Sequence, residues 1–137
     1  MRKYAKELLA VKSILPIVGN DTTEGTGTAV DLAGHESALM LAEIGQSGDT
    51  LSGSVYMTVK FQESADNSTW ADIADADLAG GENAVVIDDA DEDEILIGRG
   101  YQGSKRYVRV RIEFTGTHTN GTPISGVVIL GHARHAT

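Results

Sequence analysis

The chain has 137 residues, with no cysteine and only two prolines. Without cysteine there can be no disulfide, no thiolate nucleophile and no cysteine-ligated zinc or iron–sulfur centre. Apolar runs are short, since none approaches the ~18 residues that a membrane-spanning helix needs. The apolar stretch after the charged first residues is interrupted by Lys12, so we expect no secretory signal. The sequence predicts a soluble protein made in the cytoplasm, with no membrane partner.

Positive charge is nearly absent from the middle of the chain. Residues 1–15 carry four bases and one acid, residues 16–94 one base and eighteen acids, and residues 95–137 six bases and one acid. The net charge of −9 opposes binding to free DNA or RNA, so we expect no nucleic-acid partner. Basic ends on an acidic body are compatible with docking on acidic neighbouring subunits. The alternative is that these charges are ordinary solvated surface charges. For the arginines of residues 106–111, a further alternative is that they pair with acidic residues of the same chain.

Two stretches alternate between apolar and polar residues with the period of a β-strand. In residues 55–62, Val55, Met57, Val59 and Phe61 fall on one face, and residues 106–114 repeat the pattern. A period of two with one apolar face predicts strands that are buried on one side.

Weaker patterns predict further strands. Residues 28–33 and 37–44 form one pair around Gly34-His35, and residues 84–87 and 95–97 flank an acidic loop. Residues 124–130 are continuously apolar, which predicts a strand buried on both faces. Turn-forming residues separate these runs at 45–49, 64–68, 80–81, 98–103 and 120–121. This spacing favours an all-β fold, a single jelly-roll-like β-sandwich of about seven or eight strands.

The first residues differ from the rest. Tyr4, Leu8, Val11 and Leu15 have a helix-like spacing, but Pro16 closes the run, and an isolated helix of this length is marginal in water. We interpret residues 1–18 as an N-terminal arm that orders against the domain itself or a neighbouring subunit, and residues 19–137 as the β-sandwich domain. A disordered terminus is the alternative.

Two groups of residues are candidates for metal binding. Residues 88–94 contain six acids, and Ca²⁺ prefers several oxygen ligands, but the glycine and glutamate of an EF-hand are missing from that frame. The pair His132 and His135 has H-x-x-H spacing, yet it follows a strand at the chain end rather than lying on a helix. No nucleophile has a base and an orienting partner in any known motif. We expect no catalytic residue, no bound metal and no cofactor, and leave open whether the acidic loop binds a cation.

The single tryptophan follows a polar turn. Asp66, Asn67 and Ser68 can fold residues 64–69 through hydrogen bonds from side chain to backbone. Trp70 is then expected to pack over the hairpin, with ligand stacking as the alternative.

Four segments carry a resemblance to a known class of proteins: QESADNSTWADI at 62–73, GYQGSKRYVRV at 100–110, FTGT at 114–117 and GHARH at 131–135. Together, across about residues 28–135, they resemble small structural proteins of tailed bacteriophages and prophages. The resemblance implies a non-enzymatic capsid decoration (cement) protein on the outer surface of the assembled head.

The resemblance also implies the partners. Such proteins bind the major capsid protein, commonly as homotrimers, and brace neighbouring capsid subunits; the location would be the virion surface, after synthesis in the bacterial host cytoplasm. Many weak contacts through arms and loops would act together. The residues predicted to bind a partner are Arg2, Lys3, Tyr4, Lys6, Leu8, Leu9, Val11, Lys12, Arg134 and His135. The alternative is a tail or head-fibre component or a host-glycan binding module, which would need an exposed aromatic platform from Tyr56, Trp70, Tyr101 and Tyr107.

Overall fold

The structure, a computed structural model, describes residues 7–134. Within them the chain forms strands joined by turns and one short 3₁₀ turn at Asp75–Asp77. The strands are β1 (Leu9–Gly19), β2 (Gly25–Thr26), β3 (Val30–Asp31), β4 (His35–Ile44), β5 (Tyr56–Ser64), β6 (Ala71–Asp72), β7 (Leu78–Ala79), β8 (Val85–Ile87), β9 (Ile95–Tyr101), β10 (Tyr107–Thr115) and β11 (Thr122–Ala133).

These strands form two antiparallel sheets that pack face to face. Sheet A has the order β1-β11-β4-β9-β7, and sheet B has β2-β10-β5-β6, with β3 also on β10 and β8 also on β5. The predicted all-β sandwich is confirmed. Its jelly-roll-like connectivity stays a prediction.

The core lies between the two sheets because alternate residues of each long strand point inward. In sheet B, Phe61 of β5 lies opposite Val110 of β10, and both are fully buried. In sheet A, Met40 of β4 lies opposite Val128 of β11, and these too are fully buried. Burial of each such side chain contributes about 1.5–3 kcal/mol, so this layer is the main source of stability.

The predicted strands of sheet B are present with small shifts in their ends, whereas two other segments differ from expectation. The strand expected at 28–33 is reduced to Val30–Asp31, because the chain before it crosses between the sheets: Gly27 N donates to Val110 O at 2.9 Å, and Thr28 N donates to Ser13 O at 2.7 Å. Residues 98–101, expected to begin a turn, continue β9. Gly98 lies opposite Leu41, and a Cβ there would come within 3.2 Å of that leucine.

The segment interpreted as an arm includes a full strand of sheet A. Residues Leu9–Gly19 pair with β11, from Leu9 opposite Leu130 to Gly19 opposite Thr122. Thus the described part of residues 1–18 orders against its own domain, and the boundary drawn between residues 18 and 19 falls inside β1. The strand has two register shifts, between Lys12 and Ile14 and between Ile14 and Ile17. These shifts change the side-chain alternation, so β1 does not show the two-residue period of a regular strand.

Ser13, at the first of these shifts, ties β1 to sheet B. Its side chain is buried, with 3% exposed. The Oγ atom donates to Thr28 O at 3.0 Å and accepts from Val110 N at 3.0 Å. One hydroxyl thereby satisfies two backbone groups from different parts of the chain, which fixes where β1 lies over the core.

Replacing Ser13 by alanine tests how much these two hydrogen bonds contribute to the stability of the fold. We expect Ser13→Ala to lower the free energy of unfolding by about 1–3 kcal/mol, since the buried Val110 N–H loses its acceptor. Urea unfolding followed by circular dichroism measures the change. Ser54→Ala, at an exposed serine, is the control and should change stability by less than ~0.5 kcal/mol. Equal effects would contradict the assigned role.

Candidate protein-docking surfaces

The outer face of sheet B is charged, and its charges are paired within the chain. Lys60 Nζ lies 3.0 Å from Glu113 Oε2 and 3.6 Å from Asp72 Oδ2. Arg111 contacts Glu24 at 3.1 Å and Glu113 at 3.0 Å. Lys60, Arg111 and Glu113 alternate with the buried residues of β5 and β10, so the strand pattern itself places these three side by side on the surface.

Arg106 follows the same rule at the end of this face. Its guanidinium donates to both carboxylate oxygens of Asp31, at 3.0 and 2.9 Å. The hydrogen bond from Arg106 is the main cause that lowers the pKa of Asp31. Of the two interpretations left open for the arginines, pairing with the chain's own acids therefore describes Arg106 and Arg111.

Arg109 instead lies against Trp70. Its guanidinium carbon is 4.2 Å from the centroid of the indole ring, and its Nε donates to Gln62 Oε1 at 2.8 Å. Burial first, and then the nearby Arg111, lower the pKa of Arg109. A cation over an indole face is a favourable contact, so one face of the tryptophan is occupied by the chain itself.

The polar turn before Trp70 forms as predicted. Asp66 Oδ1 accepts from the backbone N–H groups of Ser68 at 2.9 Å and Thr69 at 2.8 Å. These two hydrogen bonds, that of Thr69 first, lower the pKa of Asp66. Asn67 adopts a φ of 60°, a conformation that asparagine tolerates in turns. The turn sets Trp70 back onto the surface of sheet B.

The four aromatic residues that a glycan platform would use do not form one cluster of stacked rings, although Tyr56 and Tyr107 share the outer face of sheet B with Trp70. Tyr56 lies opposite Thr115 and Tyr107 lies opposite Ser64, at the two ends of the β5–β10 pair. Tyr101 donates its hydroxyl to Glu63 Oε2 at 2.5 Å, and burial, followed by this hydrogen bond, raises the pKa of Tyr101. All four are half-buried, and none lies in an open ring-lined groove.

The acidic loop at 88–94 uses several carboxylates on its own backbone. Asp89 accepts from Asp91 N at 2.9 Å, and Glu92 accepts from Asp88 N at 3.0 Å. Asp93 accepts from Ser47 N at 2.8 Å, which links the loop to the turn after β4. Across residues 7–134, no group of three or more histidines and acids is arranged to hold a metal ion.

The predicted histidine pair is only partly described, because His135 lies outside residues 7–134. His132 has its Nδ1 atom 2.9 Å from Ser37 Oγ. A histidine that the sequence did not single out, His118, is buried with 1% exposed. Its Nε2 lies 2.9 Å from Thr115 O, and its ring meets Phe114 edge-on at 5.0 Å. We interpret His118 as a support for the loop between β10 and β11.

Sheet A presents the opposite kind of outer face. Between the inward residues of its strands, the outward positions are mostly apolar and form what we call the A face: Ala10, Leu39, Leu41, Leu96, Val127 and Ile129. Leu39 is 40% exposed and Leu96 59% exposed. Gly98 and Gly100 continue the same rows. The sequence predicts burial of residues 124–130 on both faces. Residues 7–134 cover only the inner face, so Val127 and Ile129 stay half-exposed.

Two charged residues interrupt the A face, one on each side of β11. Lys12 of β1 lies opposite Val127, and Glu43 of β4 lies opposite Ser125. Ser125 Oγ donates to Glu43 Oε2 at 3.3 Å. Among residues 7–134, Lys12 makes no ion pair. The A face therefore has one cation, one anion and no excess charge.

Several residues predicted to bind a partner come together where β1 begins and β11 ends. Leu8 and Leu9 are 55% and 51% exposed, and Arg134, also exposed, pairs with Glu36 at 3.3 Å. We call Leu8, Leu9 and Arg134 the chain-end cluster. Antiparallel pairing of β1 with β11 explains why the start of β1 lies beside the end of β11.

The other predicted residues have different positions. Lys12 lies on the A face, and Val11 is partly buried against the core. A role of Val11 in binding a partner stays a prediction. Arg2, Lys3, Tyr4, Lys6 and His135 lie outside the described residues.

Comparison with protein-family models and with curated proteins finds no match to this chain. Within the described part of the chain, no helix is long and apolar enough to cross a membrane.

The A face could not be identified from the sequence. Two sequence patterns belong to it, the two-sided apolar pattern of residues 37–44 and the apolar run at 124–130. Both patterns predict burial inside the domain, because nothing local indicates that β4 and β11 lie side by side with one face open.

The ion pairs of sheet B predict a pH dependence centred on Glu113. Burial acts to raise the pKa of Glu113, but hydrogen bonds from Lys60 and Arg111 outweigh it, and the pKa lies below its ordinary value of 4.5. A carboxylate with a depressed folded-state pKa stabilises the fold above pH 4.5, and this contribution is lost as the pH falls through the folded-state pKa. We expect Glu113→Gln to lower the free energy of unfolding by about 1 kcal/mol at neutral pH, with the difference shrinking in acid.

Urea unfolding of wild type and variant across this pH range measures the effect. Glu82→Gln, at an exposed loop position, is the matched control and should differ from wild type by less than ~0.5 kcal/mol. A Glu113→Gln difference that grows as the pH falls would contradict the assigned role of the carboxylate.

Proposed function

We propose that the protein is a non-enzymatic capsid decoration protein of a tailed bacteriophage. It binds the outer surface of the assembled head as a homotrimer and stabilises neighbouring major capsid subunits. Its location is the virion surface, after synthesis in the host cytoplasm. The chain-end cluster, together with the basic residues that precede and follow it in the sequence, contacts the capsid.

The observation that carries this proposal is that β1 begins beside the end of β11, so Leu8, Leu9 and Arg134 lie at the same end of the sandwich. The sandwich is a rigid support, and Leu8, Leu9 and Arg134 are exposed at its rim. Residues 1–15 carry a net positive charge in the sequence, which suits an acidic neighbouring subunit. Several modest contacts of this kind act together when one molecule touches more than one subunit.

The outer face of sheet B differs from the chain-end cluster, and this difference supports the same proposal. Lys60, Arg111 and Glu113 satisfy one another, so this face suits contact with solvent rather than with a partner. Paired exposed charges contribute little to binding. A decoration protein needs such a face, because it keeps one side toward the capsid and the other toward water.

A host-glycan binding module is the alternative proposal. It would place a sugar ring on an aromatic side chain, and Trp70 is the best candidate. The stacking of Arg109 on one face of that ring leaves the other face for a ligand. The scattered positions of Tyr56, Tyr101 and Tyr107 favour the capsid proposal instead.

Capsids that lack the protein provide the test. We expect purified protein to bind them saturably, and Leu8→Asp to weaken binding at least tenfold, because a carboxylate replaces an apolar contact that would be desolvated at the interface. Co-sedimentation over a range of protein concentrations measures affinity and copy number.

Val86→Asp is the matched control, since Val86 is an exposed apolar residue, 46% accessible, on sheet B. Its capsid affinity should equal that of the wild type. Absence of saturable capsid binding, with Trp70-dependent binding to host glycans, would replace the proposal with the alternative. Equal loss of capsid binding in both aspartate variants would contradict the assignment of the chain-end cluster.

A further inference from the structure

We infer that the A face packs against a second copy of this chain, with Lys12 of one copy facing Glu43 of the next. This inference deepens the homotrimer part of the proposed function and rests on it for the biological role of the contact. Three features of the A face support it: the apolar rows, the placement of the two charges and the size of the face.

The apolar rows run across four strands. Ala10, Ile129, Leu39 and Gly100 form one row by register, and Val127, Leu41 and Gly98 form the next, which begins with Lys12. Exposed leucines scattered singly need no explanation, but a contiguous apolar face marks an interaction surface. Gly98 and Gly100 have no side chain, so at these two positions of β9 the backbone itself forms the surface of the A face.

The charges favour a copy of the same chain as the occupant. The whole chain has a net charge of −9, so two copies repel each other through most of their surfaces. The A face has no excess charge, since Lys12 and Glu43 balance. The A face therefore adds no repulsion of its own when two copies approach.

The two charges are also placed for pairing between copies. Lys12 and Glu43 are separated by two strand spacings across the sheet, about 10 Å, and by one outward step along it, about 7 Å. This separation is too long for an ion pair within the chain. A rotation axis parallel to the strands sets the β1 side of one copy against the β4 side of the next. In that arrangement the offset across the sheet is removed. The ~7 Å step along the strands and the gap between the two faces, about 10 Å for packed sheets, remain, and an extended lysine and an extended glutamate can span them together.

The size of the face suits a small, weak contact. Four strands at ~4.8 Å spacing and three outward rows at ~7 Å give a projected area on the order of 400 Å². Side-chain relief makes the accessible area larger. A standard specific interface buries about 800 Å² on each partner, and weak encounters bury less, so the A face matches the lower end of this range.

Light scattering after size-exclusion chromatography tests the contact on purified full-length protein without capsids. At ~100 µM protein, above the micromolar dissociation constants of weak interfaces of this size, we expect the mass of a homotrimer, three times the 14.5 kDa of one chain. Leu39→Lys should give the mass of one chain, because a charge enters the apolar rows. Val86→Lys should keep the wild-type mass. Circular dichroism verifies that both variants are folded.

A charge exchange tests the pairing itself. Lys12→Glu and Glu43→Lys should each weaken association at least tenfold, since like charges then meet. The double variant Lys12→Glu/Glu43→Lys should return to within about threefold of the wild type, which a purely structural effect of either residue would not produce.

A wild-type mass of one chain, an unchanged mass for Leu39→Lys, or no recovery in the double variant would each overturn the inference. These outcomes leave the capsid-binding assay unaffected, because its variants lie at the chain-end cluster. Failure of capsid binding with intact self-association would instead remove the proposed function and keep the contact between copies.

Discussion

The two central strands of sheet A, β4 and β11, are apolar on both sides, and this constraint shapes the rest of the molecule. Their inward residues, Met40 and Val128 among them, are covered by sheet B. Their outward residues, such as Leu41 and Val127, have no second layer within the described part of the chain. Strands of this composition are typical of sheets covered on both faces. The chain supplies one cover, and the hydrophobic effect favours a second from another molecule.

Sheet B shows how the same fold treats a face that stays in water. Its outward residues form ion pairs along and across the strands, and Glu113 pairs with both Lys60 and Arg111. The guanidinium of Arg109 lies over the ring of Trp70. Such pairs add modest stability and leave few charges for a partner. The two outer faces therefore differ in kind, since the A face is mostly apolar and the outer face of sheet B is charged.

The sequence predicted strands best where one face is buried and the other charged. β5 and β10 have that pattern, so their period was visible in the residues alone. β1 was missed as a strand because its two register shifts disrupt the alternation, and its position depends on Ser13, whose partners are far away in sequence. The A face could not be predicted for a related reason. Apolar residues indicate burial, but only the strand order shows that β11 lies between β1 and β4 with one side uncovered.

Carbene footprinting of the folded protein at its assembling concentration tests the central claim most directly, because it labels side chains according to their contact with water. The A face and sheet B contain comparably exposed apolar residues in the single chain, Leu39 at 40% and Val86 at 46%. We predict that Leu39 is labelled several-fold less than Val86 at high protein concentration, and that the difference disappears on dilution. Equal labelling at every concentration would show that the A face has no protein cover and would contradict the account.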